Sequence, residues 1–333
     1  VKWSLTIALV ATIGVAWAQD PQFSQFYSAP LYMNPGFAGN TIQARGVINY
    51  RNQWPAMPGK FVSYAASFDY NIEELNSGLA LSFQQDRAGT AALRYSNIAL
   101  QYSYTLRLSR YLAIKPGISF SYSFRDVNRA ELIFGDQLIY DNPTSQSSTR
   151  FDYEPVRYPD LGAGSILYSR NWWAGMAFHH INRPNQSLIA QESRLPIRFS
   201  VHGGYNVVMK KDVKKKDVSS FTFVAHYKAQ GKWDQLDIGA CFKYRIITTG
   251  LYYRGLPLVK TNGYKQPNHD ALTALIGFEY KDLSFGYSYD LTLSKLITNS
   301  GGAHEISIIY EMASDRRKRS RRRSRFFIPC AKF

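Results

Sequence analysis

The feature that most constrains this chain is a strict two-residue alternation of side-chain character. In 117–125, Ile118, Phe120, Tyr122 and Phe124 alternate with Gly117, Ser119, Ser121, Ser123 and Arg125. In 282–291, Leu283, Phe285, Tyr287, Tyr289 and Leu291 alternate with Ser284, Gly286, Ser288 and Asp290. Residues 97–106 (Ile98, Leu100, Tyr102, Tyr104, Leu106) and 197–209 (Phe199, Val201, Tyr205, Val207, Met209) repeat the pattern. Successive side chains of a strand point to opposite faces, so each segment has one apolar face and one small or polar face.

Weaker alternation occurs near 42–51, 61–70, 77–85, 160–168, 172–180, 220–228, 235–244, 246–254, 270–280 and 303–311, which predicts fourteen strands in all. No 3.6-residue pattern competes with it. Beyond residue 18 no stretch approaches the ~18 apolar residues of a membrane-spanning helix. The chain is therefore soluble, or it crosses a membrane as a closed barrel, because in lipid only helices and closed barrels satisfy their backbone polar groups. Strands of roughly ten residues cross a bilayer when tilted, and an even count suits an outer-membrane barrel.

A soluble sandwich or propeller would alternate in the same way with its apolar face turned inward. Two features favour lipid outside. The polar faces carry Ser, Gly, Thr and Gln rather than Lys and Glu, as a crowded lumen requires. The apolar faces often end in Tyr or Phe (Tyr70, Tyr104, Phe124, Tyr227, Tyr244, Tyr253, Tyr280, Tyr289, Tyr310), as interface girdles do. The predicted fold is all-β: an antiparallel transmembrane β-barrel of about fourteen strands over 42–311, with an extended N-terminal segment over 19–41 and a basic C-terminal tail over 312–333.

Residues 1–18 read as an address. Lys2 gives a positive start, Trp3 to Ala16 is mostly apolar, and Ala16-Trp17-Ala18 is an A-x-A cleavage site, the layout of a secretory signal peptide. Links near 71–76, 107–110, 169–171, 244–246 and 281–282 are short, and those near 52–60, 126–159, 181–195, 255–269 and 292–302 are mostly longer. This predicts short periplasmic turns and longer outer loops, with both termini on the short-turn side.

Residues 19–41 contain three prolines and Asn34-Pro35-Gly36, yet carry Phe23, Phe26, Tyr27, Leu31, Tyr32, Met33 and Phe37. A free tail does not keep so many large apolar groups. The segment is expected to dock on the lumen, the short-turn rim or a partner. Here the chain resembles a known family. Asp20-Pro21-Gln22-Phe23-Ser24-Gln25-Phe26 and Asn34-Pro35-Gly36-Phe37-Ala38-Gly39 are similar to the opening of the PorP/SprF family. Arg51-Asn52-Gln53-Trp54, Gly78-Leu79-Ala80-Leu81 with Asp86-Arg87-Ala88-Gly89, Tyr252-Tyr253-Arg254, Gly286-Tyr287-Ser288-Tyr289-Asp290 and His304-Glu305-Ile306 resemble later stretches, so the likeness covers about 20–311. It implies an outer-membrane barrel of the type IX secretion and gliding machinery of Bacteroidota, without catalytic residues, that exports or anchors surface proteins. On that basis Phe23, Phe26, Tyr27, Asn34, Pro35, Gly39 and Trp54 are the motif residues expected to serve docking.

The tail from Asp315 holds nine basic residues, a net of +8 out of the chain's +16. Behind a signal peptide, such a run points away from nucleic acid. Arg316, Arg317, Arg319, Arg321, Arg322, Arg323 and Arg325, with Lys210, Lys211, Lys214, Lys215 and Lys216, are the candidate electrostatic dock for a periplasmic partner or anionic lipid headgroups. Phe326-Phe327-Ile328-Pro329 adds an apolar anchor.

Chemistry-bearing patterns are missing. The six histidines form no HExxH or similar spacing, and no GxSxG, Walker A or dinucleotide fingerprint occurs in context. His202, His226 and Cys241 fall on predicted lumen faces, and Cys241 and Cys330 are expected to be free thiols. No catalytic residue, metal, cofactor or small-molecule substrate is assigned. The expected function is a non-enzymatic type IX secretion component that docks secretion machinery or cargo domains, set in outer-membrane lipid. A porin or small-molecule transporter is the alternative.

Overall fold

A computed structural model describes residues 20, 22–57, 59–89, 93–128, 154–189, 192–211, 217–261, 267–293, 300–312 and 328. The signal-peptide reading of 1–18, Lys214, Lys215, Lys216, Cys330 and the run from Arg316 to Arg325 lie outside them. Fourteen strands form one sheet: β1 Ala44–Gln53, β2 Phe61–Ile72, β3 Ser77–Ala88, β4 Leu93–Tyr104 (prolonged by Leu106–Arg107), β5 Ala113–Asp126, β6 Val156–Tyr168 and β7 Trp172–His179 make the first half. The second half is β8 Arg198–Lys211, β9 Asp217–Gln230, β10 Trp233–Tyr244, β11 Ile247–Thr261, β12 Pro267–Tyr280, β13 Leu283–Thr292 and β14 Ala303–Met312. Every strand pairs antiparallel with its neighbours in sequence, and β1 pairs with β14 from Ala44↔Met312 to Gln53↔Ala303, so the sheet closes on itself.

The alternation reads directly onto the two faces. In β5 the outward Ile118 is 62% exposed, while Ser119, Ser121 and Ser123 are buried inside. Leu81, Leu100, Phe120, Phe223, Leu251 and Ile276 continue an outer apolar wall around the barrel. Among the described residues no helix is long and apolar enough to cross a membrane. A closed sheet with its apolar face outward and its polar face inward is a transmembrane β-barrel. Tyr104, Tyr244, Tyr280 and Tyr310 ring the short-turn end. There Arg245 and Lys281 stand 5.5 and 5.2 Å above the rings of Tyr244 and Tyr280, the pairing expected where cationic and aromatic side chains meet headgroups.

The links mostly alternate short and long as predicted, but 89–92 and 231–232 at the long-loop end are also short. One expectation is overturned. The chain enters β1 at the short-turn end, yet Asp20 sits near the long-loop end beside Gln230 and His180. From the short-turn end the segment runs back through the lumen, one of the docking places expected for it, so its N-terminal end does not lie on the short-turn side as expected. Among its described residues the only regular elements are single turns, Pro30–Met33 and Pro35–Phe37, because the prolines and Asn34 stop any longer helix.

Candidate functional site: the plugged lumen

The segment is fixed at four levels. At the base, its backbone lies directly on wall glycines. A Cβ on Gly78 would stand 2.2 Å from the Ala38 carbonyl oxygen, and one on Gly117 would stand 2.5 Å from Gly36 N. Only a residue without a side chain permits that approach. Ser103 Oγ donates to the Ala38 carbonyl at 2.8 Å. Asn34 Oδ1 caps the Pro35–Phe37 turn by accepting from Gly36 N at 2.8 Å. Its Nδ2 donates to Met176 O at 2.9 Å and Ser165 O at 3.2 Å, and lies 3.1 Å from His202 Nε2. One carboxamide thus shapes the turn and ties it to three strands. Ile328 is buried at the same level, its N–H directed at Asn40 Oδ1 at 3.4 Å.

The middle is an apolar core inside a largely polar lumen. Phe26, Tyr27, Leu31, Met33 and Phe37 pack with Ile166, Trp173, Val224, Cys241, Tyr252 and Leu275. Tyr27 stacks on Tyr252 at 5.5 Å, and Phe26 meets it edge-on at 5.9 Å. Cys241 lies against the Tyr252 hydroxyl. These groups bury large areas and give the segment the apolar partners a free tail lacks.

Above the core is a buried ionic cluster. Glu305 accepts the backbone N–H groups of Ser24 (2.6 Å) and Gln25 (3.1 Å). Arg51 bridges Asp290 (2.9 Å) and Glu305 (3.2 Å). Arg254 bridges Asp237 (2.8 Å) and Asp290 (3.1 Å) and donates to Ser24 Oγ at 3.1 Å. Ser24 Oγ also contacts Asp290 and Arg51. Thr273 donates to Asp290 at 2.8 Å. Each charge has an opposite charge and further hydrogen bonds, the condition under which buried ions are tolerated.

At the top, Asp20 Oδ2 meets His180 Nε2 and Arg198 Nη1, each at 2.8 Å, and His180 Nδ1 meets Asp160 at 2.8 Å. Burial disfavours ionisation of both Asp20 and His180, but the opposite charges override it. Asp20 falls well below the usual carboxylate range under His180 and Arg198. His180 rises to about 9 under Asp20 and Asp160. Arg198 also donates to the Tyr32 hydroxyl at 2.7 Å, and Lys228 to Gln22 Oε1 at 3.1 Å.

A family description, type IX secretion system membrane protein PorP/SprF, matches residues 15–310. The chain belongs to the PorP/SprF family. It is accordingly a membrane β-barrel of the type IX secretion system, and membership implies contact with that machinery in general. No curated protein matches the chain. Solved structures similar to this PorP/SprF barrel include the P. putida toluene transporter TodX, at TM-score 0.48 and 9% identity, covering 86% of this chain and 94% of that one. The CymD monoaromatic hydrocarbon channel has TM-score 0.46 and 9% identity, covering 86% and 93%. The KdgM porin has TM-score 0.35 and 9% identity, covering 80% and 99%.

Of the residues expected to serve docking, Phe23, Phe26, Tyr27, Asn34, Pro35 and Gly39 are buried inside this PorP/SprF barrel. Their docking is intramolecular, and a partner does not reach them while the segment is seated. Trp54 stands apart at the long-loop end. Lys210 is exposed near the short-turn end of β8. The residues that sequence reasoning missed are Arg51, Arg254, Asp290 and Glu305. Each lies in a stretch that carried the family resemblance, and each is a charge on the lumen parity of its strand; the neighbouring luminal positions are mostly small in β13 and β14, whereas β1 also carries Arg45, Asn49 and Gln53 there and β11 carries Tyr252. That combination was the available signal.

Proposed function

We propose that the protein is a closed, non-enzymatic platform of the type IX secretion system in the outer membrane. It supports export or surface anchoring of cargo by docking periplasmic machinery or cargo domains at its short-turn end, which faces the periplasm. The observation that carries this reading is the lumen itself, threaded by a segment fastened at base, core and top. A barrel whose interior is occupied by its own chain offers surfaces to partners rather than a path to solutes.

The platform's partner-facing charge comes from Lys210, Lys211, Lys214, Lys215, Lys216 and the tail arginines. The two described points that bracket the basic run, Met312 and Ile328, both lie at the short-turn end. A strongly positive rim attracts acidic partner surfaces over about a Debye length, roughly 8 Å at physiological salt. Two experiments test the reading. Cysteine labelling of intact cells should modify Ser145→Cys but not Lys214→Cys; the reverse pattern overturns the orientation. Crosslinked native complex pulled from outer membrane should carry type IX secretion components; a barrel that emerges alone from functional cells overturns the platform.

A further inference from the structure

Above the plug, at the long-loop end, wall and segment enclose a cavity of about 440 Å³. That lies within the range of about 300–1,000 Å³ in which small-ligand sites fall. Three carboxamides line it: Gln22, Gln53 and Gln186. In each, the side-chain oxygen already accepts from a cation. Lys228 donates to Gln22 at 3.1 Å, Arg51 donates to Gln53 at 3.2 Å, and Arg125 donates to Gln186. A cation on the oxygen fixes which end of a carboxamide is which. It leaves the NH2 group of each without a partner among the described residues. The cavity therefore presents oriented neutral donors.

Of the charged groups that line it, Asp20 is ion-paired, and Asp86 and Arg125 carry one charge of each sign. Asp20 is held by His180 and Arg198, Asp86 accepts from the Ser63 hydroxyl, and Arg125 is committed to Gln186. Neither an anion nor a cation finds an excess of opposite charge. Aromatic faces complete the lining. Trp54 stands edge-to-face with Phe61 at 5.4 Å, and Trp233 is 55% exposed. Trp54 is held at φ 57°, a left-handed conformation rare for a bulky residue, with its N–H on the Gly302 carbonyl at 2.8 Å. Such outliers concentrate where a side chain must be aimed at a ligand.

A ligand matching this surface is uncharged, rich in hydroxyl and ether oxygens, and flat enough to lie on indole faces. A lipid chain would meet too many polar groups. A peptide brings fixed N–H donors that cannot accept, whereas a sugar hydroxyl accepts from an amide while its rotatable hydrogen turns to another oxygen or to water. We infer that this mouth cavity binds a neutral saccharide, stacked on Trp54 and Trp233 and held by the amide donors of Gln22, Gln53 and Gln186. The inference goes beyond the platform reading and does not depend on it.

The test uses the full chain in amine-oxide micelles, since glycoside detergents carry the proposed ligand as headgroup. Intrinsic tryptophan fluorescence is titrated with cellobiose, with chitobiose and with polysaccharide released from lipopolysaccharide; trialanine is the contrast. Saturable quenching by at least one saccharide is expected, weakened at least tenfold by Trp54→Ala and by Gln186→Ala. A response to a disaccharide assigns a short free sugar, and a response to the polysaccharide alone assigns a surface glycan. Trp233→Ala, at the exposed start of β10, keeps the test decisive if Trp54→Ala misfolds. Three results overturn the proposal: no response to any saccharide, a response that survives both Gln186→Ala and Trp233→Ala, or saturation by trialanine alone.

Discussion

The carboxylate of Asp20 stands 2.8 Å from His180 Nε2, although 160 residues separate them in the chain. This contact, shared with Arg198 at 2.8 Å, fastens the top of the luminal segment to the ends of two strands. It also makes the top of the plug sensitive to pH. His180 is raised from 6.5 to about 9, so its contribution is complete below about 6.5 and is lost as pH climbs through 9. Asp20 is depressed from 3.8, so its contribution is present above 3.8 and is lost only as pH falls below that. A nitroxide on Gln22→Cys should therefore be immobile near pH 6 and several-fold more mobile by pH 9.5. His180→Gln should remove the pH dependence. An unchanged spectrum across that range would show that His180 does not fasten the segment.

The base of the plug depends on the absence of a side chain at Gly78. Its added Cβ would meet the Ala38 backbone at 2.2 Å, whereas one on Gly46, on the outer face, meets nothing within 4 Å. Overpacking of this kind costs about 1–3 kcal/mol. Gly78→Ala should lower the thermal midpoint in detergent and expose 22–41 to protease, while Gly46→Ala should do neither. Equal behaviour of the two variants would place the segment elsewhere.

Arg51 joins Asp290 to Glu305. Removing one partner of a buried ionic group strands the others, at roughly 3–5 kcal/mol. Arg51→Met should leave the barrel inserted, because the strand ladders do not depend on that guanidinium, but should loosen the segment. Adding Glu305→Gln should recover part of the loss. Urea titration with a probe on the segment measures both steps; a double variant no better than the single one would count against the coupling.

Single arginines in the basic tail should be nearly silent, since one exposed ion pair contributes about 0–1 kcal/mol. Changing Arg316, Arg317, Arg319, Arg321, Arg322, Arg323 and Arg325 together to Ser should weaken capture of partners at low ionic strength, and the deficit should shrink as salt rises. Co-purification at two salt concentrations checks it. Equal partner yield at low salt from the sevenfold variant would remove the tail from the account.

The strands were legible because a two-residue period has one physical reading, and Ile118, Phe120 and Tyr122 face outward as their parity requires. The aromatics of 19–41 needed apolar partners, and Phe26, Tyr27 and Phe37 find them inside the lumen. What parity does not reveal is what faces a strand. Ser288 and Glu305 sit on the same kind of luminal position, but only three-dimensional closure shows both meeting Gln25. The direction of threading was hidden for the same reason. Strand count places the start of β1 and says nothing of a segment that doubles back. The strain at Trp54 was also invisible, since φ is set by the loop and by Gly302 rather than by residue type.

The central claim is that the barrel is closed by its own N-terminal segment. Single-channel recording of the purified protein in planar bilayers tests it most directly, alongside a variant lacking 22–40. The account predicts no steady conductance from the intact chain and a stable open step from the deletion variant. A large, steady, ohmic conductance from the intact chain would contradict it.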